Sequence, residues 1–246
     1  MNNVAKYDLG KLLAENTYPG RGIVIGTSAD GKNAMIAYFI MGRSENSRNR
    51  VFERFDGGMR TKAYDESKLS DPSLIIYNPY LQQGTNVDII TNGDQTNTVY
   101  DEIVANPANA NAFEDALRTR EFEPDCPNYT PRISGICYYA FEKKTFSYKL
   151  SILKSANGRP EVCNRYFYEY LPENGIGHFI HTYQCDGNPI PSFNGEPEEV
   201  ALPNTAQELA DLVWSNLNAD NKVSLLVRSV PLDGSLPTEI IINKNV

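Results

Sequence analysis

The sequence predicts an α+β fold: two antiparallel sheets packed face to face, helices outside them, and residues 1–246 in a single domain. Three observations carry this. Strand-length apolar runs and helix-period segments alternate in the order strands, two helices, strands, one helix, strands. Asp30-Gly31 and Asn157-Gly158 separate apolar runs as hairpin dipeptides, which makes the neighbouring strands antiparallel. The strands are too many for one sheet, and no compositional break, repeat or low-complexity tract marks a linker.

Taken in order, residues 5–16 are amphipathic and read as a helix that Pro19-Gly20 breaks. Strands are expected at "GIVIGTS" (22–28), "NAMIAYFIM" (33–41), "RVFERF" (50–55), "LIIYNPYL" (74–81) and "VDIITNG" (87–93). The pattern then shifts toward a period of 3.6, with Val99, Ile103 and Val104 on one helical face. Asn106-Pro107 ends that helix, and "NAFEDALRTR" begins another. Strand signals return at "TPRISGICYYAF", "TFSYKLSIL", "EVCNRYFYEY" and "GHFIHTY". A helix over 203–217 carries Leu209, Leu212, Val213 and Leu217 on one stripe, with Asn204 or Thr205 as its N-cap, before the closing strands "KVSLLVRSV" and "TEIIINK".

A formal net charge of -8 disfavours long-range attraction to nucleic acid or anionic lipid, and no apolar run approaches the length of a membrane span. A soluble, cytoplasmic protein is expected, with neither a nucleic acid nor a membrane as partner. Cys126, Cys137, Cys163 and Cys185 form no C-x-x-C pair and read as free, partly buried thiols. His178 and His181 fall on opposite faces of a strand, so no metal-ligand pattern is expected.

Four segments have the residue types for chemistry. In "YPGRGIVIG" Arg21 is flanked by glycines just before a strand; it reads either as a turn arginine or as one whose small neighbours let a ligand approach. Thr91 to Val104 runs from a strand through Asn92-Gly93-Asp94 into a helix start, with Asp94 or Thr96 as N-cap. Asn92, Gly93 and Thr96 are therefore candidates for an anion cradle, the bland alternative being a capped helix and nothing more. Arg120 to Ile136 is a proline-rich loop in which Glu123, if buried beside Arg132, becomes a poised acid-base group; otherwise its carboxylates are solvated. His181 to Pro197 is a second turn-rich loop whose composition names no ligand. Neither a P-loop nor a G-x-S-x-G elbow occurs.

The ordered set "YPGRGIVIG", "GRSENSRNR", "IIYN", "TNGDQT", "YTPRI" and "HTYQCDGNPIPSF" resembles the archaeal-type IMP cyclohydrolase family, which also has bacterial members. The resemblance implies a four-layer αββα sandwich similar to N-terminal-nucleophile hydrolases. It also implies closure of 5-formamidoimidazole-4-carboxamide ribonucleotide (FAICAR) to IMP with loss of water, completing de novo purine biosynthesis. The chain begins "MNN" with a helix expected before the first strand, so the N-terminal nucleophile of those hydrolases is not expected here.

What the resemblance implies for the residues follows from that reaction. The closure joins two groups of one molecule and needs no cofactor or metal; it needs positioning, oxyanion stabilisation and proton transfer. Arg43 and Arg21 are expected on substrate oxygens, Arg132 on the base or phosphate, and Glu123 and Tyr77 in proton transfer. Arg48 and Arg50 flank Asn49 and are candidates to close over a phosphate, whereas Arg54, between Glu53 and Asp56, reads as solvated. If 36–43 is one strand, Arg43 shares the face of Met41 and Phe39 at its mouth. The expected partner is a purine nucleotide, in a homo-oligomer. Two other readings stay open: an amidohydrolase of related fold, and a catalytically silent nucleotide-binding paralogue.

Overall fold

The computed structural model describes residues 5–69, 72 and 76–246. In chain order its strands are β1 (Arg21–Thr27), β2 (Asn33–Met41), β3 (Arg50–Phe55), β4 (Gly58–Ala63), β5 (Tyr80–Gln83), β6 (Val87–Thr91) and β7 (Arg132–Ala140). There follow β8 (Thr145–Ala156), β9 (Arg159–Tyr170), β10 (Ile176–His181), β11 (Glu198–Ala201), β12 (Lys222–Pro231) and β13 (Thr238–Asn243). The helices are α1 (Leu9–Glu15), the short α2 (Glu45–Arg48), α3 (Gln95–Ala105), α4 (Ala112–Arg118) and α5 (Ala206–Asn216). One sheet has six strands in the order β11-β10-β1-β2-β12-β13, and the other has seven in the order β3-β4-β5-β6-β7-β8-β9. Every strand pairing is antiparallel.

Burial along β2 shows why this is a four-layer sandwich. Ala34 to Met41 are all buried, because both faces of the sheet are covered. Ile36, Tyr38 and Ile40 face the seven-stranded sheet and pack with Phe52, Ile133 and Leu150. Met35, Ala37, Phe39 and Met41, one residue out of phase, pack under α1 and α5 beside Leu9, Leu209 and Val213. On the far side Ile89, Ile136 and Leu153 meet Val99 and Ile103 of α3 and Phe113 and Leu117 of α4. Each such side chain stabilises the fold by about 1.5–3 kcal/mol relative to exposure, so alternation within one apolar strand binds three layers at once.

One polar device crosses the interface between the sheets. Asp88 of β6 is fully buried, accepts hydrogen bonds from Tyr80 and Tyr139 at 2.8 Å each, and receives Arg228 Nε of β12 at 3.0 Å. Arg228 also reaches Glu239 at 3.1 Å, and Arg54, largely exposed as expected, ends the chain on the other Glu239 oxygen at 2.8 Å. At one end of the sandwich the Asn243 side chain occupies the free edge of β3, accepting from Phe52 N–H at 2.8 Å and donating to Phe52 O at 3.1 Å.

Several elements differ from the sequence expectation. The first helix starts at Leu9, because Asp8 caps it by accepting from Lys11 N–H at 2.8 Å, while Tyr7 forms a bridge with Val200. β4 and α2 were not expected: β4 alternates apolar and polar residues over only six positions, and α2 is a single turn closed by a Ser44–Ser47 capping box. Leu74 and Ile75 of the strand expected at 74–81 lie outside the described residues, and pairing begins only at Tyr80. Val104 is exposed, unlike Val99 and Ile103. The thiols are all free, with Cys137 buried, Cys163 half-buried and the other two exposed. Among the described residues no helix is long and apolar enough to cross a membrane.

Candidate functional site

Strand parity places two arginines at one open end of the sandwich. Arg21, the first residue of β1, shares the inter-sheet face of Ile23 and Ile25. Arg50, the first residue of β3, shares that of Phe52 on the opposite sheet. Arg50 is fully buried; its Nε donates to Ser47 O at 2.8 Å and its Nη2 to Met41 O at 3.3 Å. Neither arginine has a carboxylate within ion-pair distance among the described residues. Arg21 Nε and Arg50 Nη1 are buried without a hydrogen-bond partner. Burial, then the nearby Arg21, pulls the Arg50 pKa down. For Arg21 burial acts against the charge, but Tyr183, Tyr77, Tyr18 and Tyr38 around it outweigh that and hold it cationic. The result is a desolvated positive site framed by phenols.

The phenols are fixed by one another and by the loops. Tyr38 and Tyr77 hydroxyls lie 2.8 Å apart, and burial raises the Tyr38 pKa. Tyr18 stacks on Tyr183 with ring centres 5.8 Å apart. Tyr183 OH and Thr130 Oγ1 are 2.5 Å apart, and Thr130 Oγ1 donates to Asp125 Oδ2 at 2.5 Å. Because the threonine proton is committed to Asp125, Tyr183 is the donor to Thr130. Burial pushes the Tyr183 hydroxyl up to about 12.

The carboxylate side comes from the 121–131 loop, whose backbone closes through Glu123 N–H to Thr130 O at 2.9 Å. Glu123 is buried, 8 % exposed, with Oε1 2.9 Å from Arg132 Nη1. Burial raises its pKa, and Arg132 and Arg21 oppose that only in part. Arg132 is shared: Nη1 also meets Asp94 at 2.7 Å and Gln95 Oε1 at 2.6 Å. Asp94 sits at the N-cap position of α3 without capping it; burial is outweighed by Arg120 and Arg132, which hold its carboxyl below the usual range. At Gly93 a Cβ would stand 2.5 Å from Arg132 Nη1 and 3.0 Å from Glu123 Oε1, so a side chain there would displace both groups.

These groups meet at a cavity of about 290 Å³ lined by Tyr18, Arg21, Arg43, Ser44, Ser47, Glu123, Asp125, Thr130 and Tyr183, among others. Of the residues singled out in the sequence, Arg21, Arg43 and Glu123 line it directly. Arg50 and Tyr77 stand behind Arg21, and Arg132 behind Glu123. Arg43 is at the mouth, bound to Asp186 at 2.5 Å and Gly187 O at 2.9 Å, its guanidinium 5.1 Å from the Tyr18 ring centre.

Of the remaining four candidates Gly93 lies beside Arg132 and Glu123, and the other three point elsewhere. Arg48 donates to Gly42 O at 2.8 Å and Asn221 Oδ1 at 3.0 Å, bracing the turn after β2. Asn92 is spent on Pro131 O, Ile133 N–H and the Gln95 amide. Thr96 is bound to Thr91 Oγ1 at 2.6 Å and Gly93 O at 3.0 Å. Asn92 and Thr96 therefore build the shelf under Arg132. Tyr18, Asp125, Thr130 and Tyr183 were not singled out in the sequence. The only local signal for them is the Asp125-to-Thr130 spacing inside a proline-rich loop.

The arrangement offers a buried cation for a developing oxyanion and, opposite it, a carboxyl group with raised pKa for proton transfer. A family model described as IMP cyclohydrolase-like protein matches residues 18–234. No curated protein matches the chain.

Proposed function

The chain belongs to the IMP cyclohydrolase-like family, and on that premise we propose that it closes FAICAR to IMP with loss of water. The observation that carries this reading is Arg21: a desolvated guanidinium with an unpartnered Nε, facing the same cavity as Glu123. Such a cation is costly to bury alone and is stabilised when negative charge develops beside it.

In the reaction the carboxamide nitrogen attacks the formyl carbon, and the formyl oxygen takes up the displaced electron pair. Arg21, backed by Arg50, stabilises that oxygen. Glu123 as carboxylate accepts the proton the amide nitrogen loses and as acid returns it to the oxyanion, which becomes a hydroxyl. Glu123 then takes the former formamide N–H proton and delivers it to that hydroxyl, which leaves as water as the C=N bond of the ring forms, so atoms and protons balance. Burial raises the Glu123 pKa above its ordinary value, toward that of a group that both accepts and returns a proton. Tyr77, hydrogen-bonded to Tyr38, extends the proton path behind Arg21; Arg132 orients Glu123; Arg43 meets substrate oxygens at the mouth. Gly93, Asn92 and Thr96 shape the floor, and Arg48 holds the loop bearing Ser44 and Ser47.

Purified protein mixed with FAICAR, without added metal, should produce IMP, followed by absorbance. No acceleration over buffer would sink the assignment; IMP binding by calorimetry without turnover would instead identify a silent nucleotide-binding member.

A further inference from the structure

Behind a wall made by Asn128 and Ile190, which line both spaces, lies a second cavity of about 450 Å³. Among the described residues no carboxylate lines it, in a chain whose formal net charge is -8. Lys154 of β8 is its cation. The Nζ donates to two neutral oxygens, Phe193 O at 2.7 Å and Asn194 Oδ1 at 3.2 Å, and lies 5.6 Å from the centre of the Tyr166 ring. An ammonium has three donors, so one remains for a ligand. No carboxylate stands within ion-pair distance of it among the described residues, and burial works against its charge. An arriving anion would relieve that cost. Asn128 spends its Oδ1 on Ile190 N–H at 3.0 Å, which leaves its amide N–H groups to donate at the boundary between the two spaces.

The inner cavity, about 290 Å³, falls at the lower edge of small-molecule sites, which run from roughly 300 to 1,000 Å³. A base undergoing ring closure there leaves its ribose phosphate to extend outward. At the mouth Arg43 is already paired with Asp186, whereas Lys154 has no anionic partner. We propose that this second cavity is a phosphomonoester pocket, anchored by Lys154 and occupied by the 5′-phosphate of the nucleotide whose base lies at Arg21 and Glu123. The proposal rests on the nucleotide reading above.

The test is calorimetric titration of the full chain with IMP, inosine and ribose 5-phosphate, repeated with Lys154→Met and with Lys154→Gln, which keeps a donor for Phe193 O. Wild type should bind IMP about tenfold to hundredfold more tightly than inosine, and both variants should reduce IMP to the inosine level while leaving inosine unchanged. Lys154→Arg should restore part of the difference. Equal weakening of both ligands, or unchanged IMP affinity, overturns the proposal. Ribose 5-phosphate that binds through Lys154 without competing with IMP marks a separate anion site and overturns the assignment to the substrate's phosphate. If IMP and inosine fail to bind but ribose 5-phosphate binds wild type and not the variants, the nucleotide reading falls and the phosphate pocket stands. Binding of none of the three overturns both.

Discussion

Tyr183 donates its hydroxyl proton to Thr130 across 2.5 Å, and that single bond couples the end of β10 to the loop that carries Glu123. With its proton committed, Tyr183 lines the same cavity as Arg21. Thr130→Val should leave both Tyr183 and Asp125 short of a partner, with a stability loss of about 1–3 kcal/mol and a fall in kcat. Thr130→Ser, which keeps the hydroxyl, should restore both. Steady-state kinetics and urea unfolding of the two variants check this; full activity in the valine variant would show that the relay is idle.

Arg21→Met should lower kcat/KM by about a hundredfold to a thousandfold, the usual cost of an oxyanion donor. The same variant should melt no lower than wild type, because a half-buried guanidinium whose Nε is buried without a partner contributes little to folding. A large fall in both would recast Arg21 as a structural residue.

Glu123→Gln should reduce kcat by about a hundredfold or more while preserving the fold. Its stability relative to wild type should depend on pH. Because burial raises the folded pKa above the ordinary 4.5, the native state holds the Glu123 proton more tightly than the unfolded chain does. Wild-type stability from this group is therefore complete below the ordinary value and is lost as pH rises through the raised one. Melting curves should show Glu123→Gln gaining on wild type over that interval, and parallel curves would contradict the raised pKa.

His178 predicts the opposite slope. Burial holds its pKa at about 4, below the ordinary 6.5, and Tyr148 lies 2.7 Å from its Nδ1. The imidazole is held neutral by burial, so the unfolded chain binds the proton first on acidification. Stability from this group is present above 6.5 and is lost as the pH falls toward 4, by at most about 3 kcal/mol before allowance for its partial exposure. His178→Gln should remove that acid-side slope in unfolding titrations.

Asp88→Ala should destabilise by about 3–5 kcal/mol, since it leaves Arg228, Tyr80 and Tyr139 facing an uncompensated gap between the sheets. Activity per folded molecule should change little, which separates this ion pair from the site arginines.

Much of the sandwich was legible because its central strands are continuous apolar runs of strand length between recognisable turns. Asn157 and Gly158 both take positive φ, the backbone that an Asn-Gly hairpin requires. β4 was not legible, because its burial is conferred by pairing with β3 and β5 and its own apolar residues are few. The site was legible where one residue's chemistry suffices: Arg21 from the start of a strand, and Glu123 and Arg132 from a loop that folds back on itself. The same reasoning weighted Arg43 above Arg50, yet Arg50 is the fully buried member and Arg43 the exposed, ion-paired one. That distinction depends on the turn through α2, which carries the chain from one sheet to the other. Tyr183 was invisible for a related reason: its hydrogen bond to Thr130 joins residues 53 apart, and only the Asp125–Thr130 part of the chain of bonds is local.

The Asn243 side chain on β3 bears on a different property, the company the protein keeps in a crowded solution. A border strand with idle peptide groups is a template on which another chain can add a strand, the first step toward fibrils or precipitate. At Phe52 both idle groups are already taken by one amide that imitates a neighbouring strand. The Asn243 amide thus joins the two sheets at that border alongside the Arg54–Glu239 pair, and it also serves as a guard against self-association there.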